Sequence, residues 1–104
     1  RLFPEAGQEA LRASFVERWA ENDPRPYQDA MRAMVGWTVT DRLGEIKCPT
    51  LVIAAEHDYS PVAVKEAYAK RMPDARVAVI AGAHHAAPVE KPAEFNAVLK
   101  EFLS

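Results

Sequence analysis

The apolar positions change their spacing partway along the chain. Up to about residue 45 they recur at helical intervals. Beyond Pro49 short continuous apolar runs alternate with helical stripes. In "EAGQEALRASFVERWAE", residues 5 to 21, Leu11, Phe15 and Trp19 fall on one face of an expected helix, with Arg12 and Glu17 elsewhere. "NDP" at 22 to 24 ends it, because the residue before a proline avoids the α region and Asn and Asp favour turns. A second helix is expected over about 26 to 37, with Tyr27, Met31, Met34 and Val35 as its apolar stripe. "TVTDRLGEI" reads as a connector holding a short helical turn near Asp41 and Leu43, with Gly44 as its stop.

Thr50 to Ala55 is apolar throughout and partly β-branched, which suits a strand buried on both faces of a parallel sheet. Pro61 should open a helix in its first turn, where a missing N–H costs nothing. That helix is expected to run to about Met72, with Val64, Ala67, Tyr68 and Met72 inward and Lys65, Lys70 and Arg71 on a solvated face. "RVAVIA", Arg76 to Ala81, reads as a second strand and "GAHHAAPVEK" as a loop. Pro92 starts a last helix, with Phe95, Val98, Leu99 and Phe102 on its inner face. The order strand–helix–strand–helix predicts an α/β arrangement with two parallel strands and a right-handed crossover. The division that follows is a helical region at 1–45 and an α/β region at 46–104.

Charge and composition narrow the partners. Thirteen basic against 15 acidic residues give a net charge of −2, which supplies no field for nucleic acid or an anionic membrane. No apolar run reaches the roughly 20 residues that span a bilayer. No leader of basic and then apolar residues is visible, and the lone Cys48 excludes an internal disulfide, so a cytoplasmic setting is expected. The start at Arg1, directly before helical sequence, suggests a piece of a longer chain.

In parallel sheets ligand chemistry gathers beyond the carboxyl ends of the strands. Both "EHD" (56 to 58) and "AHH" (83 to 85) stand there, so one sheet edge carries an acid and a histidine. A carboxylate on one ring nitrogen fixes the imidazole tautomer and leaves the other nitrogen free as a general base. Polar residues at strand ends are also ordinary loop residues. A metal cluster of Glu56, His57, Asp58, His84 and His85 is disfavoured, because no H-x-x-x-H or C-x-x-C spacing accompanies it. Glu56 and His57 read better as exposed turn residues. Glu90 reads as a charge favourable near a helix start rather than as an orienter of the His85 loop. Tyr59 and Pro61 read as shapers of the turn after Asp58, and Cys48 as a buried small apolar residue.

The stretches "IKCPTLVIAAEHDYSPV", "AYAKRMPDARVAVIAGAHH" and "PVEKPAEFNAVLKEFL" together resemble the C-terminal end of the α/β-hydrolase family. The family pattern is I-x-x-P-T-L-V-I-x-G-x-x-D-x-x-x-P, then I-P-x-A, then G-H, then E-x-P-x-x-F-N-x-x-L-x-x-F-L. The likeness covers about residues 46 to 103. It implies that Asp58 is the triad acid and His85 the triad histidine, since the family's spacing from the histidine to the E-x-P glutamate matches His85 to Glu90. Ala55 and His84 stand where the family often has glycine, and neither change removes a catalytic group. The first 45 residues would then be the end of a helical cap, with Trp37, Met31 and Met34 either lining a substrate pocket or, the favoured reading, packing helices.

Such a hydrolase needs a nucleophile on a G-x-S-x-G elbow. Ser14, Ser60 and Ser104 have no such flanks, and Cys48 precedes the strand at the wrong end of the sheet. The family order Ser…Asp…His implies an upstream nucleophile acting on an ester, lactone or related carbonyl in a small-molecule substrate, without a cofactor or metal. Residues 1–104 alone are therefore expected to be inactive. The unpaired strand edge implies self-association or pairing with an N-terminal part. The alternatives are a non-catalytic binding or receptor module of the same fold, a dehalogenase-type enzyme with an upstream aspartate, and a small stand-alone interaction domain.

Overall fold

The computed structural model describes residues 2–104. In chain order its elements are α1 (Glu9–Ala20), α2 (Pro24–Met34), a 3-10 turn (Thr40–Glu45), β1 (Thr50–Ala55), α3 (Val62–Ala69), β2 (Ala75–Ile80), α4 (Ala87–Glu90) and α5 (Pro92–Leu103). Contacts group Phe3–Val39 as one unit and Thr40–Ser104 as another.

In the helical unit, α1 starts later than its apolar spacing suggests. Residues 5 to 8 form a turn in which the Gln8 side chain accepts from the Glu5 N–H at 3.0 Å. The ring of Phe15 meets Phe3 at 4.9 Å and Trp19 at 5.9 Å between centroids, both edge to face. α2 starts earlier than expected. Asp23 caps it, accepting from the Arg25 N–H at 2.9 Å, and Pro24 takes the first helical position, where it has no N–H to lose. The α2 stripe is not packed. Met34 and Trp37 are 62% and 69% exposed, and Tyr27, Met31 and Val35 are exposed with them. These residues therefore do not pack helices within the described residues.

In the α/β unit, β1 and β2 pair in parallel, in register from Thr50 opposite Ala75 to Ala55 opposite Ile80. Only the carboxyl ends are enclosed: Ala54, Ala55 and Ile80 are buried while the earlier residues are half-buried or exposed. Burial on both faces, as in a wide parallel sheet, does not hold for these two strands, because each has a single strand neighbour among the described residues. The core joins Ala55, Ile80, Ala83 and Ala87, with Ile53 and Phe95 packed against them. α5 presents the expected stripe, half-buried at Phe95, Val98, Leu99 and Phe102.

Four local expectations are corrected. Pro61 caps α3 rather than lying in its first turn, with ψ at 152°. The buried positions of α3 and the turn after it are Lys65, Ala69 and Met72, a 0, 4, 7 stripe, whereas Val64 and Ala67 are exposed. The stretch after β2 is no plain loop, because Ala87–Glu90 form a helical turn, its Glu90 N–H donating to the Ala86 carbonyl at 2.9 Å. Cys48 is exposed, since the approach to β1 runs over the surface.

Candidate active site

The two segments that leave the strand ends are stitched together. The Glu56 N–H donates to the Ile80 carbonyl at 3.2 Å and the His57 N–H to the Ala83 carbonyl at 2.9 Å. Gly82 adopts φ +63°, a conformation that favours glycine, and its N–H donates to the Glu56 carboxylate at 2.8 Å. Glu56 therefore braces the neighbouring loop instead of being only an exposed turn residue. Ala83 is fully buried.

This stitching brings Asp58 and His85 together across 27 positions of sequence: His85 Nδ1 lies 2.7 Å from Asp58 Oδ1. The same oxygen accepts the Tyr59 N–H at 2.7 Å, and Oδ2 accepts from Lys65 Nζ at 2.8 Å. Burial pushes the Asp58 carboxyl pKa up. Hydrogen bonds from Lys65, His85 and the Tyr59 N–H, with the Lys65 charge, more than offset it and bring the pKa down to about 2. Asp58 is thus an ionised acceptor near neutral pH, so Nδ1 of His85 must carry the hydrogen. The neutral ring then has its lone pair on Nε2. That side chain is 52% exposed, and the Tyr59 ring lies against it at 4.4 Å between centroids, tilted 33°. Tyr59 thus does more than shape the turn.

His84 has a different partner. Its Nδ1 lies 2.8 Å from Glu90 Oε1, and its N–H donates to Oε2 at 2.7 Å. Glu90 is almost wholly buried and ties the histidine loop to α4. The reading of Glu90 as a favourable charge near a helix start gives way to this bracing role, because both carboxylate oxygens are turned onto His84.

Lys65 is the residue that sequence reasoning missed. Expected on a solvated face, it is only 7% exposed. Its Nζ donates to Asp58 Oδ2, to the Ser60 carbonyl at 2.5 Å and to Ser60 Oγ at 2.6 Å. The signal was its place on the stripe with Ala69 and Met72. None of the serines bonds His85: Ser14 donates to the Leu11 carbonyl, Ser60 accepts from Lys65, and Ser104 donates to the Glu101 carbonyl. Among the described residues, no group of three His, Cys, Asp or Glu side chains is placed to hold a metal. None of their helices is long and apolar enough to cross a membrane.

No family model matches the chain. Solved structures do. A proline iminopeptidase of Mycobacterium smegmatis is 42% identical over 64% of this chain, with a TM-score of 0.61. Est816, described as an N-acyl homoserine lactone degrading enzyme, is 30% identical over 97% of this chain, with a TM-score of 0.75. MGS-MChE2, from the metagenome of sediments of the lagoon of Mar Chica, Morocco, is described as an α/β hydrolase enzyme; it is 26% identical over 93% of this chain, with a TM-score of 0.70. The chain is similar to α/β hydrolases. It has the C-terminal part of the α/β-hydrolase fold. It spans 22%, 43% and 45% of those three chains respectively, less than half of each.

Proposed function

We propose that this segment supplies the acid and the histidine of a cofactor-free α/β hydrolase acting on an ester, lactone or related carbonyl, with a serine nucleophile upstream. The observation that carries the reading is the 2.7 Å bond between Asp58 and His85, made at the carboxyl ends of two parallel strands. In the reaction, Nε2 of His85 takes the proton of the attacking hydroxyl and returns it to the leaving group. It then activates water against the acyl-enzyme. Asp58 holds the ring in the productive tautomer and stabilises the imidazolium. The lactone-degrading activity in the description of Est816 favours a carbonyl of this class. Residues 1–45 act as the end of a cap, on which Met31, Met34 and Trp37 are exposed.

The test is His85→Ala in the full-length protein, assayed on a simple aryl ester. Turnover should fall more than about 1000-fold with the fold kept. Activity near wild type in a folded variant would sink the reading. The isolated 104-residue chain should be inactive and should self-associate through its strand edges. A monomeric sedimentation peak would refute the second expectation.

A further inference from the structure

We propose that Lys65 is a positioning residue of this site: its buried ammonium grips the Asp58 oxygen that His85 does not use, fixing the acid's rotation and offsetting part of the charge it sets against the ring. The inference rests on reading Asp58 and His85 as an acid–base pair.

A buried lysine is rare unless it is fully partnered. Here the partnering is complete. An ammonium has three hydrogens, and Nζ has three acceptors: Asp58 Oδ2 at 2.8 Å, the Ser60 carbonyl at 2.5 Å and Ser60 Oγ at 2.6 Å. These contacts tie α3 to the turn after β1. They settle which carboxylate oxygen is left to His85, because Oδ2 is occupied by the ammonium. They also change what the ring meets. A bare carboxylate would stabilise the imidazolium strongly. A carboxylate already paired with a cation stabilises it less, so Lys65 tempers the charge that Asp58 sets against the ring.

The other titratable groups at this edge are engaged elsewhere. Glu56 takes the Gly82 N–H and lies 3.9 Å from His57, while His84 and Glu90 bind each other. Tyr59 offers His85 its ring face. Lys65 is thus the cation acting on the pair among the described residues.

In the full-length protein, Lys65→Met keeps the apolar stem and removes the charge. The His85 imidazole titration, followed by NMR, should move up by about one pH unit. The acidic limb of kcat/KM on an aryl ester should move up with it. Lys65→Arg should restore most of the wild-type midpoint. An unchanged His85 midpoint in folded Lys65→Met overturns the proposal whatever the activity. A shifted midpoint together with activity that survives His85→Ala leaves the electrostatic role standing and overturns the hydrolase reading instead. Should Lys65→Met not fold, Lys65→Gln gives the same comparison with two donors kept. In the wild type, slowly exchanging Lys65 ammonium protons coupled to the Asp58 carboxylate carbon support the proposal; rapid exchange with water overturns it.

Discussion

Two histidine–carboxylate pairs stand one residue apart in the loop after β2, and their ring bonds are nearly equal in length. His84 meets Glu90 at 2.8 Å and His85 meets Asp58 at 2.7 Å. Their surroundings differ. The first pair is enclosed, its side chains 13% and 1% exposed, and Glu90 spends its second oxygen on the His84 N–H. The second leaves His85 half open, and Asp58 spends its second oxygen on a cation. A hydrogen bond of one length can therefore enclose a loop histidine or leave a ring open to solvent, and what differs is which end of the pair reaches solvent.

The largest effects should separate the pairs by kind. His85→Ala removes the exposed ring, so turnover in the full-length protein should drop more than about 1000-fold while the unfolding midpoint barely moves. Glu90→Ala should do the reverse, leaving the His84 N–H and ring nitrogen buried without their acceptor at a cost of about 3 kcal/mol. Denaturant unfolding of both variants checks this. If Glu90→Ala is as stable as the wild type, the bracing role falls.

Acid should act on the open pair with a smaller effect. The Asp58 pKa lies at about 2 in the fold against an ordinary 3.8, so its ionised form favours the native state. That contribution is fully present above pH 3.8 and is lost as pH falls toward 2. It amounts to about 2 kcal/mol, the side chain being mostly shielded from solvent. Stability against pH should fall through this window in the wild type and be flatter in Asp58→Asn. Equal slopes would mean that the Lys65 and His85 contacts do not hold the carboxylate.

What the sequence discloses follows the same division. β1 is legible to the residue because Thr50 and five apolar positions in a row, closed by Pro49 before and polar residues after, are too short for a helix. Asp58 and His85 are legible because strand ends in parallel sheets meet at one edge, and the resemblance selects His85 over its neighbour. Lys65 and Glu90 are not, because charge argues for the surface unless a partner is known, and each partner lies in a turn whose path depends on other contacts. The α2 stripe shows the converse failure: helical apolar spacing announces a face that needs covering, but not that this chain covers it.

The smallest predicted effect concerns the ring beside His85. Tyr59 holds Asp58 through its backbone N–H, so Tyr59→Leu should leave that bond in place and remove only the aromatic face at 4.4 Å. The contact is solvent-exposed, which puts its worth near the low end for aromatic pairs, about 0.5 kcal/mol. Turnover on an aryl ester should fall about two-fold, with the acidic limb of the pH profile unchanged. His84 has its own ring neighbour, His57, at 5.3 Å, and is also held through both its backbone and its ring. His85 has the Asp58 bond and the Tyr59 face alone among the described residues. A two-fold loss would mean that the carboxylate bond suffices to aim the exposed ring. A loss beyond ten-fold would mean that the open pair, like the enclosed one, must be held from two sides.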